Sequence, residues 1–192
     1  MKESVLSAFA ESAQVKQRFA REHADRIVQV AQLIANAFNN GNKVLLFGNG
    51  GSSTDAAHIA AEFVGRYRRD RVPLPAIALA TDIAAITCIA NDYGYEELFA
   101  RQVRAHGRKG DIAVGISTSG NSPNVLKGIT AARECGLITV AWTGGSGGTL
   151  AGLVDYPFIV PSTLTSRIQE SHITLGHVLC ELIEDHLLGN AS

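Results

Sequence analysis

No stretch of this 192-residue chain approaches the roughly 18 apolar residues of a membrane span. Its opening, MKESVLSAFAESAQ, carries acids and polar groups where a secretory leader needs an unbroken apolar run. The expectation is therefore a cytoplasmic protein without a membrane partner. Cysteine is scarce: Cys88, Cys135 and Cys180 are odd in number and far apart, which leaves no zinc knuckle and no CxxC redox pair. Each sits among apolar residues and reads as a small hydrophobe. An excess of charge of either sign is missing as well. Seventeen Lys and Arg against eighteen Asp and Glu leave a net charge of −1, no footprint for nucleic acid or for an anionic surface. The densest basic stretch, RYRRDR at 66–71, is short and interrupted by Asp70, and reads as a solvated loop. Internal repeats and low-complexity segments are absent too.

What is present suits one folded domain over 1–192. The chain is 46% hydrophobic and 18% charged, long enough for a single sizeable core. The first 40 residues read as a pair of helices. Val5, Phe9, Val15 and Phe19 share roughly one face of the first, and Ile27, Val30, Ile34 and Phe38 form a stripe on the second, which stops at Asn40-Gly41. From 43 to 160 short apolar runs alternate with helical stretches: KVLLFG (43–48), AIALA (76–80), DIAVGIS (111–117), LITVAW (137–142) and PFIV (157–160). Strands apolar on both faces, with helices between them, indicate a parallel sheet covered on each side. Residues 163–188 read as a long C-terminal helix with Ile168, Leu175, Leu179, Leu182 and Ile183 on its apolar side. The predicted fold is α/β, a three-layer α/β/α sandwich with a central parallel sheet and an appended N-terminal helical pair. Trp142, ending the fourth run, reads as core.

In such sheets ligands bind beyond the carboxyl ends of the strands. GNGGSS (48–53) follows the first strand and opens a helix, whose unpaired N–H groups and glycine backbone suit an anion. It is neither G-x-G-x-x-G nor a Walker A loop, and a tight turn explains it equally well. STSGNS (117–122) follows the third strand, with Pro123 opening the next helix. Ser117, Thr118, Ser119 and Ser122 put four hydroxyls at one helix start, more than capping needs. They suit a phosphate monoester that is held rather than transferred, since no phosphoryl-transfer machinery is visible.

A second constellation is dispersed. His58 and Glu62 lie four residues apart on the helix expected at 54–66, about 40° apart around its axis. An i,i+4 pair on a wet face is the plain alternative. On the C-terminal helix Gln169 and His177 share a side, with Glu170 and His172 as neighbours that periodicity alone does not rank. Imidazoles with a carboxylate suit zinc or another borderline divalent ion.

Together these segments resemble the phosphoheptose isomerase family, a branch of the SIS-domain proteins. The resemblance runs through GNGGSSTDAAHIAAEFVGR (48–66), NDYG (91–94), GISTSGNS (115–122), TGGSGGTLAG (143–152) and RIQESHITLGH (167–177). It implies isomerisation of sedoheptulose 7-phosphate to D-glycero-D-manno-heptose 7-phosphate through an enediol, at the start of heptose supply for bacterial lipopolysaccharide core or surface glycans. It implies zinc held by His58, Glu62, Gln169 and His177, with Glu62 as base and His177 as acid. Implied substrate contacts are Asn49, Gly50, Gly51, Ser52, Glu62, Asn91, Asp92, Ser117, Thr118, Ser119, Ser122 and Gln169. The family's homotetramers combine residues of neighbouring subunits in one site. Position 166 is serine here, where some of these isomerases carry an acid. SIS domains also serve as sugar-phosphate sensors, and a tetrameric paralogue binds the bacterial replication initiator. That paralogue lacks the full set at HxxxE and the final histidine, and both are intact in this chain, which favours the enzyme.

Overall fold

Alternate residues of a strand face opposite ways, so a strand that is apolar throughout needs a covering layer on each side. The computed structural model, which describes residues 1–189, meets that need. Five parallel strands, β1 (Val44–Gly48), β2 (Ala76–Ala78), β3 (Ile112–Ile116), β4 (Ile138–Gly144) and β5 (Tyr156–Val160), lie in the order β2-β1-β3-β4-β5. The helices are α1 (Lys2–Asn39), α2 (Gly51–Val64), α3 (Ile83–Tyr93), α4 (Leu98–His106), α5 (Pro123–Glu134), the short α6 (Gly148–Ala151) and α7 (Thr165–Leu188). Val44 and Leu46 point into a core shared with α1, α2 and α7, which includes Phe38, Phe63, Leu175 and Ile183. Leu45 and Phe47 point the other way, among Phe99, Val103, Val125 and Ile129 of α4 and α5. This is the three-layer sandwich that the apolar runs predict. Trp142 is fully buried in the first core, as expected.

The N-terminal pair of helices is instead one helix of 38 residues. No glycine or proline occurs between Lys2 and Asn39 to end a first helix, and Asn40 and Gly41 terminate the whole. Nor do its apolar residues share one face. At 100° per residue Phe9 lies about 120° around the axis from Val15, and accordingly Val15 and Phe19 are buried while Val5 and Phe9 are exposed. The other bounds shift modestly. Helix α2 begins three residues before the expected 54, so Ser52 and Ser53 are already helical, and β4 extends past Trp142 to Gly144.

The basic segment 66–71 is a loop whose Arg66, Arg68 and Asp70 are exposed as expected, but its other two arginines are engaged by the C-terminal helix. Arg71 is paired with Glu184 in the interior and Arg69 with Asp185. Among the cysteines Cys180 is buried, and burial pushes its thiol up to about 12. Cys88, on α3, is exposed, contrary to its apolar sequence context. Among the described residues no helix is long and apolar enough to cross a membrane.

Candidate active site

Strand order reverses between β1 and β3, and their register pairs Gly48 with Ile116 at the carboxyl ends. Asn49 and Ser117, the next residues, therefore emerge side by side at the switch point, where open α/β sheets place their ligands. The two loops are tied together by a pair of amides. Asn49 Nδ2 donates to Asn124 Oδ1 and Asn124 Nδ2 donates back to Asn49 Oδ1, both at 2.8 Å. Tyr95 adds its hydroxyl to Asn49 Oδ1 at 3.0 Å. Asn124 is buried and its Oδ1 also takes the Val125 N–H, so this joint is rigid. Sequence reading missed Asn124 and Tyr95. Nothing local marks either as a partner of a residue so distant along the chain.

In the second loop Ser117 Oγ lies 3.0 Å from Ser122 Oγ and 3.5 Å from Ser119 Oγ. Ser122 precedes α5 yet makes no side-chain cap bond to it. The hydroxyls of Ser117 and Ser122 turn toward each other, while Ser119 Oγ accepts the Asn121 N–H at 3.2 Å as a local turn bond. Gly120 holds φ of +66°, and a Cβ there would collide with the Gly147 backbone. The TGGSGG segment thus packs its backbone beneath this loop, with Leu150 N–H donating to Gly120 O at 2.9 Å and Thr149 N–H to Asn121 Oδ1 at 3.0 Å.

Helices α2 and α7 run alongside each other in the same direction. Gln169 stands at Gly51, where a Cβ would lie 2.5 Å from its Nε2. Further along, Gly176 allows contact so close that a Cβ would lie 2.5 Å from Ile59 Cδ1. That closeness brings the next residue, His177, to His58: their Nε2 atoms are 3.3 Å apart, and His58 Nε2 is 3.1 Å from Glu62 Oε1. One ligand atom from each of His58, Glu62 and His177 lies within 4.8 Å of the others. The donors suit a divalent ion. Two nitrogens bound tetrahedrally to zinc at about 2.05 Å stand about 3.3 Å apart, the separation found here. Gln169, two turns back on α7, is roughly 12 Å along the helix axis from His177. Within one chain its amide stands at the Asn49–Gly51 turn, and the other three residues form the cluster.

The neighbours left open by periodicity are accounted for by burial. His172 is buried, its Nε2 3.2 Å from Thr143 O, and burial lowers its pKa to about 4 against the pull of that bond. Glu170 is engaged by Arg167 at 2.7 Å. Asp55, one turn before His58, went unread in the sequence. Burial raises its carboxyl above the usual range, opposed by His58, and its Oδ2 has no hydrogen-bond partner among the described residues. Asn91 and Asp92 end α3, exposed and bonded to each other at 2.8 Å, and the chain leaving them carries Tyr95 to Asn49. Ser166 is exposed on the first turn of α7. Ser52 is buried at the start of α2.

The class is that of open parallel α/β sheets with two loops tied together at the switch point, here accompanied by an imidazole–carboxylate cluster on α2 and α7. The SIS domain profile matches residues 9–144, and the chain belongs to that family. Its relatives are more particular. It is 56% identical over 187 residues to the phosphoheptose isomerase of Thermodesulfovibrio yellowstonii, covering 97% of this chain and 93% of that one. It is 57% identical over 185 residues to that of Aquifex aeolicus, covering 96% and 97%. The solved structure of phosphoheptose isomerase from Neisseria gonorrhoeae superposes with a TM-score of 0.90 at 44% identity, covering 96% of this chain and 98% of that one.

Proposed function

We propose that this chain is a phosphoheptose isomerase, converting sedoheptulose 7-phosphate to D-glycero-D-manno-heptose 7-phosphate in the bacterial cytoplasm for the heptose of lipopolysaccharide or surface glycans. The observation that carries the reading is the meeting of His58 and Glu62 of α2, the helix that leaves the first of the two tied loops, with His177 of α7, in a chain more than half identical to enzymes of that name.

The residues divide the work. Ser117, Thr118, Ser119 and Ser122, with the start of α5, hold the phosphate through hydroxyls and backbone N–H groups. Asn49, Gly50, Gly51, Ser52 and Gln169, with Asn91 and Asp92 of α3, are assigned to the sugar, a reading supported for the first group by the bonds that join Asn49 to the second loop and by the seat of Gln169 at Gly51. Moving a carbonyl between C1 and C2 requires a base at carbon and an acid at oxygen. Glu62 turns Oε1 to His58, and its Oε2 makes no hydrogen bond among the described residues. One carboxylate can therefore serve as a ligand through one oxygen and take the proton from carbon with the other. His177, whose Nε2 would hold the ion, would return a proton to oxygen only from Nδ1. Zinc is the ion the donor set favours, and a bound ion supplies Lewis-acid polarisation of the substrate oxygens. A homotetramer with shared sites is supported by the apolar surface that one chain leaves open. Helix α3 has no fully buried residue and leaves Ile83 in the open, and Val5, Leu6 and Phe9 of α1 are exposed.

The test is to incubate wild type and Glu62→Gln with sedoheptulose 7-phosphate in deuterated water, scoring aldose and carbon-bound deuterium. Wild type should form both. Glu62→Gln should assemble normally and lose about 10²–10⁴-fold in kcat. A zinc-loaded wild type that forms no aldose and exchanges no carbon-bound proton sinks the isomerase reading, and leaves the chain a sugar-phosphate binding protein.

A further inference from the structure

The segment 65–75 leaves α2 without regular structure and returns to the sheet at β2. Helix α2 ends with carbonyls that need donors. Arg71 supplies them, through Nη2 to Glu62 O and Nη1 to Phe63 O, both at 2.8 Å. Its Nε donates to Glu184 Oε1 at 3.1 Å, and the two side chains are 2% and 3% exposed. Glu184 accepts three more bonds from backbone N–H groups: Tyr67 at 3.0 Å, and Arg68 and Arg69 at 3.1 Å each. The buried pair thus joins the last turn of α2, which carries Glu62, to α7, which carries His177 two turns before Glu184. It also pins the backbone at Tyr67.

That anchoring has a directional product. The Tyr67 ring lies nearly parallel to the His177 imidazole, with centroids 5.7 Å apart and planes inclined by 22°. His58 meets the same imidazole edge-on at 5.1 Å. The Tyr67 hydroxyl makes no hydrogen bond among the described residues, so no polar bond accounts for this side chain. Its ring packs against the α1/α2/α7 core, takes the Arg68 guanidinium at 5.3 Å, and presents a face to His177. A latch with a purely structural role needs Glu184 and Arg71 but no aromatic ring at 67.

We propose that Tyr67 is a positioning residue: its ring, fixed by the Arg71–Glu184 pair, holds His177 in the orientation that turns Nε2 toward His58 and Glu62. The inference rests on the metal-and-proton role given to His177 above. Partners that orient a metal-binding imidazole typically govern about 10–100-fold in affinity or activity. Three variants, Tyr67→Ala, Tyr67→Leu and Tyr67→Phe, should be measured for cobalt(II) affinity by chelator competition, cobalt absorption bands, kcat and KM, and melting temperature. Removing the ring should weaken cobalt binding about 10–100-fold, alter the bands and lower kcat, with KM within about twofold of wild type. Tyr67→Phe should restore all three. Tyr67→Leu keeps apolar bulk without a ring, so it asks the same question should Tyr67→Ala fail to fold. Wild-type cobalt affinity, bands and kcat in Tyr67→Leu overturn the inference, as does a Tyr67→Phe variant as impaired as the others. A wild type that binds cobalt without isomerising sugar phosphate removes the enzymatic reading but leaves the affinity comparison standing. A wild type that binds no divalent ion removes the metal reading and this inference together.

Discussion

His172 and His177 lie five residues apart on α7, and their surroundings separate them chemically. His177 is half-buried beside His58, where its nitrogen meets a carboxylate-bearing cluster. His172 is enclosed, and burial holds its pKa at about 4 although the bond to Thr143 O pulls it up. An imidazole kept neutral in the fold but titrating near 6.5 when unfolded makes the unfolded chain the stronger proton binder at mild acidity. Its contribution is therefore intact above about pH 6.5 and is lost progressively as pH falls toward 4. Between pH 7 and 5 the protein should lose roughly 2 kcal/mol on this account. His172→Gln can still donate to Thr143 O but does not titrate, so urea denaturation at the two pH values should show a flatter dependence. Parallel curves for the two proteins would show that the acid sensitivity originates elsewhere.

Among the elements, the loops opening α2 and α5 set the binding end of the site. Ser122 does not cap α5 through its side chain, and its hydroxyl meets that of Ser117 at 3.0 Å instead. Replacing Ser119 and Ser122 together by Ala should cost little in thermal stability. Each hydrogen bond to a charged group is worth about 1.5–3 kcal/mol, so KM should rise at least about tenfold. An unchanged KM would move the phosphate to another part of the site. These loops were legible in the sequence because glycines and hydroxyls crowd into a few consecutive residues after an apolar run. The HxxxE pair was legible for the same local reason. Its partner was only half legible: spacing puts several polar residues on α7, and choosing among them requires knowing which side of α7 lies against α2. Asn124, Asp55 and Tyr67 were not legible, since their roles come from residues brought together by the fold. Helix α3 was expected only as one of the helical stretches between strands, without bounds. In IAAITCIA only Ile86 and Ile89 rest, partly buried, against the α4/α5 core, while Ile83 stands in the open.

At the scale of the whole molecule, the proposed tetramer would cover the exposed apolar residues. Ile83 on α3 is 76% exposed and Phe9 on α1 is 77% exposed. Light scattering should report a homotetramer for the wild type and smaller species for Ile83→Asp and Phe9→Asp, with activity falling in step if sites are shared. A monomer with full activity would refute both the tetramer and the shared site. One feature of the architecture also bears on how the chain comes to be made. The first helix packs along the last, α1 against α7. A chain emerging from its N-terminus therefore presents 38 helical residues before their partner exists. The sheet between them is wholly parallel and can close only through long crossovers, which are slow to form. During synthesis Phe19 of α1 must wait for Phe158 of β5, and the face that meets α7 must wait longer still, until that 24-residue helix is made. That interval is when the nascent chain is most exposed to aggregation and most in need of a chaperone.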